Sequence, residues 1–426
     1  MTRIRIENGR ILDPHSGRDS SGEICIDNGT ILSANDSTMD FTADITINAK
    51  DHWICPGIVD LSARFGKSGQ AIKKTFSTEA TAAASAGVTS VCCPPDTHPI
   101  IDSSAAVEIL LKSATDSGQV RINPIGALTQ GLKGDRLAEM FTLKTAGCIA
   151  VSNANQPLAN YEILRRAMEY AASSDLTVFF HPEDYSLRNY GVVNEGALST
   201  RLGLPPIPEI AETVAVSAAL LIAEQSGAKI HFCRISTARA VDMIRQAKQL
   251  GLPVTADVDI CHLYLTELDV DCYNSNCHLI PPLRSLHDKD ILIQGIAEGV
   301  IDAVCSDHRL LSIDSKIAPF SQTEPGASTI EFLLPLMLDL ANRGKLSLLD
   351  AVEKITTNPA KILNLPFGRI EPGSKADIII INPDISWTAQ GQQLISGSKC
   401  TPFEGWELQG KVSHTILDGE LIFQYK

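Results

Sequence analysis

The sequence has no uninterrupted apolar run long enough to span a bilayer, and its polar start, MTRIRIENGR, lacks the apolar segment of a signal peptide. Positive charge is also scarce, because 36 lysine and arginine residues face 50 acidic residues and give a formal net charge of −14. Phosphate binding requires clustered basic side chains, which this composition does not supply. The sequence therefore predicts a cytoplasmic protein that binds neither membranes nor nucleic acids.

Disulfide bonds are not expected either, although the chain has eleven cysteines. Their number is odd, their spacing matches no regular metal-binding pattern, and several lie in apolar stretches such as Val91-Cys92-Cys93. This placement is typical of reduced cysteines packed in a core. What the sequence does contain is the balance of a globular protein, with 44% hydrophobic and 20% charged residues. At 426 residues, the chain is expected to form one large domain and a smaller one.

Both ends of the chain have the pattern of short strands joined by tight turns. Asn28-Gly29 separates two strand-like runs near the start, and Asp418-Gly419 interrupts the alternating stretch from Val412 to Phe423. Ala376 to Ile381 has the composition of a buried strand. We expect the two ends to meet in one small β-sandwich domain.

In the middle of the chain, apolar strand-like runs alternate with helix-like segments such as Thr75 to Ala86 and Tyr161 to Ala172. The strand-like runs are Thr89 to Cys93, Ile149 to Ser152, Thr177 to His181, Ile230 to Ile235, Val254 to Val258 and Ile301 to Ser306. Repeated over roughly three hundred residues, this alternation predicts an α/β fold, a (β/α)8 TIM-type barrel. The predicted domains are the barrel at residues 54–365 and the small β domain at residues 1–53 and 366–426.

A family resemblance appears in the segment ICPGIVDLSARFGKSG, Ile54 to Gly69. It resembles the start of the barrel in dihydroorotases and related members of the amidohydrolase superfamily, where Pro-Gly-x-x-Asp runs into His-x-His and then an arginine. Further matches follow in the family's order at Ala86 to Thr89, Pro94 to Asp102, His181 to Asp184, Ile235 to Thr237, Pro281 to Arg284, Ser306 to His308, Thr357 to Lys361 and Gly373 to Asp377. Together they cover nearly the whole chain.

The resemblance implies six positions that bind zinc in active relatives, and most of them have changed here. In the relatives, zinc at the barrel mouth lowers the pKa of a bound water and so produces a nucleophile near neutral pH. Aligned one by one, the ligand positions fall on Ser62, Arg64, Asn153, His181, Arg234 and Asp307. Only His181 and Asp307 keep a strong ligand side chain, and both are interpreted as vestigial.

The two arginines argue most strongly against zinc at these positions. A guanidinium has only donors and stays protonated, so Arg64 and Arg234 would repel a dication. At about 4 Å and an effective dielectric constant of about 20, one such charge costs on the order of 8 kcal/mol against a dication. We therefore expect no zinc, and no other cofactor. We expect Asp307 to form a buried ion pair with Arg64 or Arg234, and His181 to be hydrogen-bonded without a role in metal binding.

The positions that would bind the substrate's carboxylate have also lost the side chains of active relatives. In dihydroorotases these are an arginine shortly after His-x-His and an asparagine after the second strand, and they align with Gly66 and Asp96. Losing a cation and gaining an anion would turn attraction into repulsion. Neither catalytic nor substrate-binding residues are therefore expected.

Three functions remain open on this reasoning. The leading prediction is a catalytically inactive dihydroorotase-like protein of pyrimidine biosynthesis, because the chain resembles inactive dihydroorotase-like chains that associate with the catalytic chain of aspartate transcarbamoylase. Such a chain is expected to be oligomeric. One alternative is a rewired or metal-independent cyclic amidohydrolase that binds an anionic metabolite through its arginines. The other is a dihydroorotase with residual, zinc-dependent activity.

Overall fold

The computed structural model describes residues 2–35, 41–65 and 72–425. Two large sheets organise this part of the chain. The strands, in chain order, are β1 (Ile4–Asp13), β2 (Arg18–Asp27), β3 (Thr30–Asn35), β4 (Ile45–Asn48), β5 (Trp53–Pro56), β6 (Ile58–Asp60), β7 (Ala63–Arg64), β8 (Val88–Cys93), β9 (Arg121–Ala127), β10 (Ala150–Ser152), β11 (Thr177–Phe180), β12 (Val193–Asn194), β13 (Pro206–Ile207), β14 (Ile230–Phe232), β15 (Val254–Asp259), β16 (Ala303–Cys305), β17 (His308–Arg309), β18 (Ile378–Thr388), β19 (Glu407–Leu417) and β20 (Glu420–Gln424).

Twelve α-helices accompany these strands in the described ranges. They are α1 (Ile72–Ser85), α2 (Ser104–Ser117), α3 (Met140–Ala146), α4 (Tyr161–Ser173), α5 (Tyr185–Arg188), α6 (Ala197–Leu202), α7 (Ile210–Ser226), α8 (Ala238–Gln249), α9 (Leu286–Ala297), α10 (Leu333–Asn342), α11 (Leu348–Glu353) and α12 (Thr357–Ile362). Helix α4 illustrates their construction. The Asn160 side chain caps its first turn by accepting from the Ile163 N–H at 3.0 Å. Leu164, Met168 and Ala171, spaced by three or four residues, form its buried face.

The predicted barrel is confirmed. Eight parallel strands follow the order β16-β15-β14-β11-β10-β9-β8-β6. The ring closes through the extensions of its first and last strands, because β17 pairs with β7, with His308 opposite Ala63. The Asp60 carboxylate also accepts the Ser306 N–H at 3.0 Å across the same seam. The carboxyl ends of these strands define one mouth, which is where barrels of this type carry their functional side chains.

The predicted small domain built from both chain ends is also confirmed. Its sheet has the order β20-β19-β18-β5-β1-β2-β3, with β4 added beside β1. The contact between the two ends is the antiparallel pair of β5 and β18, where Cys55 faces Ile379. Isoleucines such as Ile4, Ile26 and Ile54 fill its separate core. Strand β5 begins at Trp53. The exact domain boundaries at residues 53 and 365 stay predictions.

The two turns recognised in the sequence have the expected backbone. Between β2 and β3, Asn28 has φ 51° and Gly29 has φ 77°, and between β19 and β20, Asp418 has φ 49° and Gly419 has φ 77°. Two consecutive residues with positive φ form the tight turn that suits the twist of a hairpin. Each turn therefore fixes the register of the two strands that it joins.

The cysteines form no disulfide bonds with one another. All eleven cysteines are free, and only Cys272 is exposed. Within residues 2–35, 41–65 and 72–425, no helix is both long enough and apolar enough to cross a membrane.

Candidate functional site at the barrel mouth

The aligned ligand positions are brought together by the ends of five barrel strands. Ser62 and Arg64 follow β6, Asn153 follows β10, His181 follows β11, Arg234 follows β14 and Asp307 follows β16. Arg234 and Asp307 both leave their strands with positive φ, 54° and 43°. This backbone is costly for residues with a Cβ, and at Arg234 the N–H is held by the Asp257 carboxylate at 2.5 Å. The turn carries the Arg234 side chain over the mouth.

The expected ion pair of Asp307 is confirmed, and it involves both arginines. A single oxygen, Asp307 Oδ1, accepts from Arg64 Nη1 at 3.0 Å, from Arg234 Nη1 at 2.9 Å and from Ser62 Oγ at 2.8 Å. Only 8% of Asp307 is exposed. These charge-assisted bonds form in a poorly hydrated place, where removing one partner leaves a charge uncompensated.

The ion pairs shift the pKa values of the groups at the mouth. Burial favours the neutral acid, but the charges of Arg234 and Arg64 outweigh it and hold the pKa of Asp307 well below its usual range. The pKa of the neighbouring Arg309 is also lowered, to about 10, because burial and the charge of Arg64 disfavour its charged form. The mouth therefore contains a network of ion pairs, in which Asp307 is ionised at neutral pH.

Asp96 also belongs to this ion-pair network, which the sequence did not indicate. Arg64 Nε donates to both Asp96 oxygens, at 3.0 and 2.9 Å. Although burial opposes it, Arg64 and Arg309 lower the pKa of Asp96. The acid expected to repel a substrate carboxylate is therefore already neutralised by an arginine. Gly66, the other changed substrate position, lies outside the described residues.

Asn153 and His181 have contrasting surroundings. Asn153 is satisfied, since its Oδ1 accepts from Thr129 Oγ1 at 2.6 Å and its Nδ2 donates to the Gln156 carbonyl at 3.1 Å. His181 is buried, and the backbone of Cys233 is its polar neighbour, although neither ring nitrogen makes a well-formed hydrogen bond to a described residue. A hydrogen-bonded imidazole therefore stays a prediction. Burial and the charge of Arg234 keep the pKa of His181 well below its usual range, which makes the ring neutral.

These residues do not suit the zinc site of the family. A dication at the mouth would meet the guanidinium groups of Arg64 and Arg234, and the Asp307 oxygen that could bind it already accepts three hydrogen bonds. The Asn153 oxygen is likewise taken by Thr129. His181 is the one aligned position whose ligand atoms are open.

The expectation that the chain has no place for a cofactor is wrong. Deeper in the barrel, His231, Cys233 and Asp257 bring their ligand atoms within 4.8 Å of one another, as a group that could hold a metal ion. Zinc accepts imidazole, thiolate and carboxylate ligands of this kind. Burial raises the pKa of the Cys233 thiol well above its usual value, so an ion would have to displace its proton.

The sequence contained a signal for this group. His231 and Cys233 are two residues apart at the end of one strand and so face the same side. The parallel register of β14 and β15, with Phe232 opposite Ala256, brings Asp257 alongside. Both ring nitrogens of His231 have hydrogen-bonding partners, since Nε2 lies 2.9 Å from Asp257 Oδ2 and Nδ1 lies 2.8 Å from Thr255 Oγ1.

Comparison with known proteins agrees with the fold and identifies the family. The L-hydantoinase of Arthrobacter aurescens superposes with a TM-score of 0.88 and 22% identity over 100% of this chain and 96% of that chain, a likeness of fold. The family model described as Dihydro-orotase-like matches residues 51–240, and the model described as Amidohydrolase family matches residues 337–423.

Three similar sequences illustrate how such relatives are named. A "Dihydroorotase-like protein" of Pseudomonas putida is 41% identical over 418 residues, 98% of each chain. A protein of the same name from Pseudomonas aeruginosa is 40% identical over 98% of this chain and 99% of its own. A "Dihydroorotase" of Syntrophotalea carbinolica is 38% identical over 99% of both chains. Whichever name its relatives carry, this chain belongs to the dihydroorotase-like family.

Proposed function

We propose that this dihydroorotase-like chain does not catalyse the ring-closing reaction and instead supports the assembly of aspartate transcarbamoylase in pyrimidine biosynthesis. The observation that carries the proposal is the contact of Asp307 Oδ1 with the guanidinium groups of Arg234 and Arg64, at 2.9 and 3.0 Å. In an active relative, the aspartate at this position would bind metal and exchange protons. In this chain, the aspartate is instead paired with the guanidinium groups of Arg64 and Arg234.

The acid–base chemistry argues in the same direction. A general base works best when its pKa lies near the working pH. The two arginines hold the pKa of Asp307 well below its usual range, so its carboxylate has little tendency to take a proton. His181, another titratable group at the mouth, is neutral and is neighboured by the positive charge of Arg234. An attacking water would find no suitably tuned base among these groups.

Outside the mouth, the barrel keeps the closed ring of strands that a supporting role requires. Its ring is complete, and the seam between first and last strands is held by the β7–β17 pair and by Asp60. A subunit that contributes assembly needs this folded framework and its outer surface, and it does not need a reactive mouth. The resemblance to inactive partner chains of aspartate transcarbamoylase supplies the identity of the proposed partner.

Co-assembly with the aspartate transcarbamoylase catalytic chain of the same genome tests this proposal. We expect the two purified chains to sediment as one complex, and we expect the catalytic chain to be more active or more heat-stable inside it than alone. Ovalbumin, added in place of this chain at equal concentration, should give neither effect. Independent sedimentation, with unchanged carbamoyl transfer and unchanged thermal stability, would refute the supporting role.

A further inference from the structure

Four side chains with metal-binding atoms meet inside the barrel, below the mouth. His231 and Cys233 come from the end of β14, Asp257 from β15 and Cys305 from β16. The ligand atoms of the first three lie within 4.8 Å of one another, and Cys305 Sγ lies 3.7 Å from Asp257 Oδ1. We call these four residues the interior cluster. Imidazole, thiolate and carboxylate are the side-chain ligands that zinc takes in proteins.

The spacing of these atoms is close to that of a zinc site. Bonds of about 2.0 to 2.3 Å in a tetrahedral site place the ligand atoms about 3.3 to 3.8 Å from one another. His231 Nε2 and Asp257 Oδ2 lie 2.9 Å apart, and the distance from Cys305 to Asp257 is already in this range. Shifts of roughly 1 Å, smaller than a change of rotamer, would therefore bring the cluster around one ion.

The outer neighbours of the cluster already orient two of its ligands. His231 Nδ1 lies 2.8 Å from Thr255 Oγ1, so the ring can keep its proton on Nδ1 and present Nε2 to an ion. Asp257 Oδ1 accepts the Arg234 N–H at 2.5 Å, while Oδ2 faces His231. Metal-binding histidines and carboxylates are usually held by hydrogen bonds of this kind, which fix the ring orientation and the tautomer.

The charge balance also differs from that at the mouth. At the mouth, the single carboxylate of Asp307 lies between the guanidinium groups of Arg64 and Arg234. In the interior cluster, the carboxylate of Asp257 and the thiolates that form on binding would more than balance the two charges of a zinc ion. The Arg234 guanidinium is directed away to Asp307 and Asn155, at 2.9 and 2.6 Å. The repulsion that argues against zinc at the mouth is therefore compensated here by the ligands themselves.

We propose that the interior cluster binds one structural zinc ion, with His231, Cys233, Asp257 and Cys305 as its four ligands. None of them is a position aligned with the family's metal ligands. Four protein ligands leave no open position for water, so the ion would stabilise the barrel and would not activate a nucleophile. Each thiol gives its proton to solvent as its sulfur binds, and the burial of the cluster indicates that the ion enters as the chain folds. This inference is independent of the proposed supporting role.

Zinc content after refolding tests the inference. The full-length chain is refolded with zinc, passed through a desalting column and analysed by atomic absorption, and we expect one zinc ion per chain. Loss of an outer neighbour alone usually weakens zinc binding tenfold or more, so Cys233→Ala should weaken it at least tenfold. Cys148→Ala, which changes another buried cysteine in a separate apolar cluster, should keep the ion.

His181→Asn separates this site from the mouth. Because His181 lies at an aligned ligand position and outside the interior cluster, the variant should retain zinc like the wild type. A wild-type chain that retains no zinc would overturn the inference. Loss of zinc in His181→Asn together with full zinc content in Cys233→Ala would also overturn it, because the ion would then be at the mouth.

Cobalt as a spectroscopic probe tests the ligands in the wild-type chain, without relying on the folding of a variant. Refolded with Co²⁺ in place of zinc, the chain should show the intense visible bands of a tetrahedral ion and a near-ultraviolet sulfur-to-cobalt charge-transfer band. Zinc should also raise the Tm of the wild type and leave that of Cys233→Ala unchanged, since only an ion bound to the folded state stabilises it. A weak, octahedral cobalt spectrum without the sulfur band would refute the assigned ligands.

Discussion

Replacing Asp307 with alanine is expected to lower the free energy of unfolding by about 3 to 5 kcal/mol, the usual cost of leaving a buried charge without its partner. Arg64 would keep Asp96, to which its Nε donates at 2.9 and 3.0 Å. Among the described residues, the Arg234 guanidinium would keep only the neutral Asn155 oxygen at 2.6 Å. The urea midpoint of unfolding, measured by circular dichroism, should fall accordingly.

Two further variants separate charge from general damage. Adding Arg234→Met to Asp307→Ala should recover part of the stability, because the double variant no longer buries an unpaired cation. Asp175→Asn breaks an exposed pair, with Asp175 Oδ1 2.8 Å from Lys229 Nζ, and should leave the midpoint nearly unchanged. If the single and double variants at the mouth are equally unstable, the charge argument fails.

Replacing Glu212 with alanine is the second substitution with a large expected effect, again about 3 to 5 kcal/mol of unfolding free energy. This carboxylate on α7 is 3% exposed. It accepts the Ser236 and Thr237 N–H groups at 3.0 Å and their hydroxyls at 2.5 and 2.8 Å. It also compensates the charge of Arg284, whose Nε donates to the Ser236 hydroxyl at 3.1 Å. Alanine would remove the acceptor of these two N–H groups and two hydroxyls at once.

A matched control lies on the same helix. Glu224 is exposed on α7, so Glu224→Ala changes the same residue type without breaking a buried network and should barely move the urea midpoint. Because Ser236 and Thr237 follow directly on the turn that carries Arg234, Glu212→Ala should also increase amide hydrogen exchange at the start of α8. Equal stability of the two alanine variants would show that the Glu212 network contributes little.

Much of the fold follows from local pattern. Alternating apolar runs and amphipathic segments predict the barrel because each strand and helix must bury one face against the next. The strand ends are less predictable. The predicted strand runs from Ile230 to Ile235, yet β14 ends at Phe232. The chain leaves the strand there because Arg234 adopts φ 54° and gives its N–H to Asp257. That hydrogen bond depends on a residue of the next strand.

The site was predictable where opposite charges had to compensate each other. A buried Asp307 near two arginines requires a partner, and both arginines provide one. The pairing of Arg64 with Asp96 was not predictable, because it joins the ends of different strands through the geometry of the closed barrel. The surroundings of His181 were missed for the same reason. So was the approach of Asp257 to His231 and Cys233, because the sequence indicates only that His231 and Cys233 share one face of a strand. The roles of these side chains depend on which atoms lie near them in the folded structure.

Dihydroorotase turnover of the purified wild-type chain, followed across a zinc titration beside an active dihydroorotase, tests the central claim most directly. Because Asp307 is held by Arg64 and Arg234, we predict that carbamoyl aspartate and dihydroorotate interconvert no faster than without protein at any zinc concentration. Turnover that saturates with substrate and rises with zinc would contradict the account, because the guanidinium groups would then have to leave Asp307 free for catalysis.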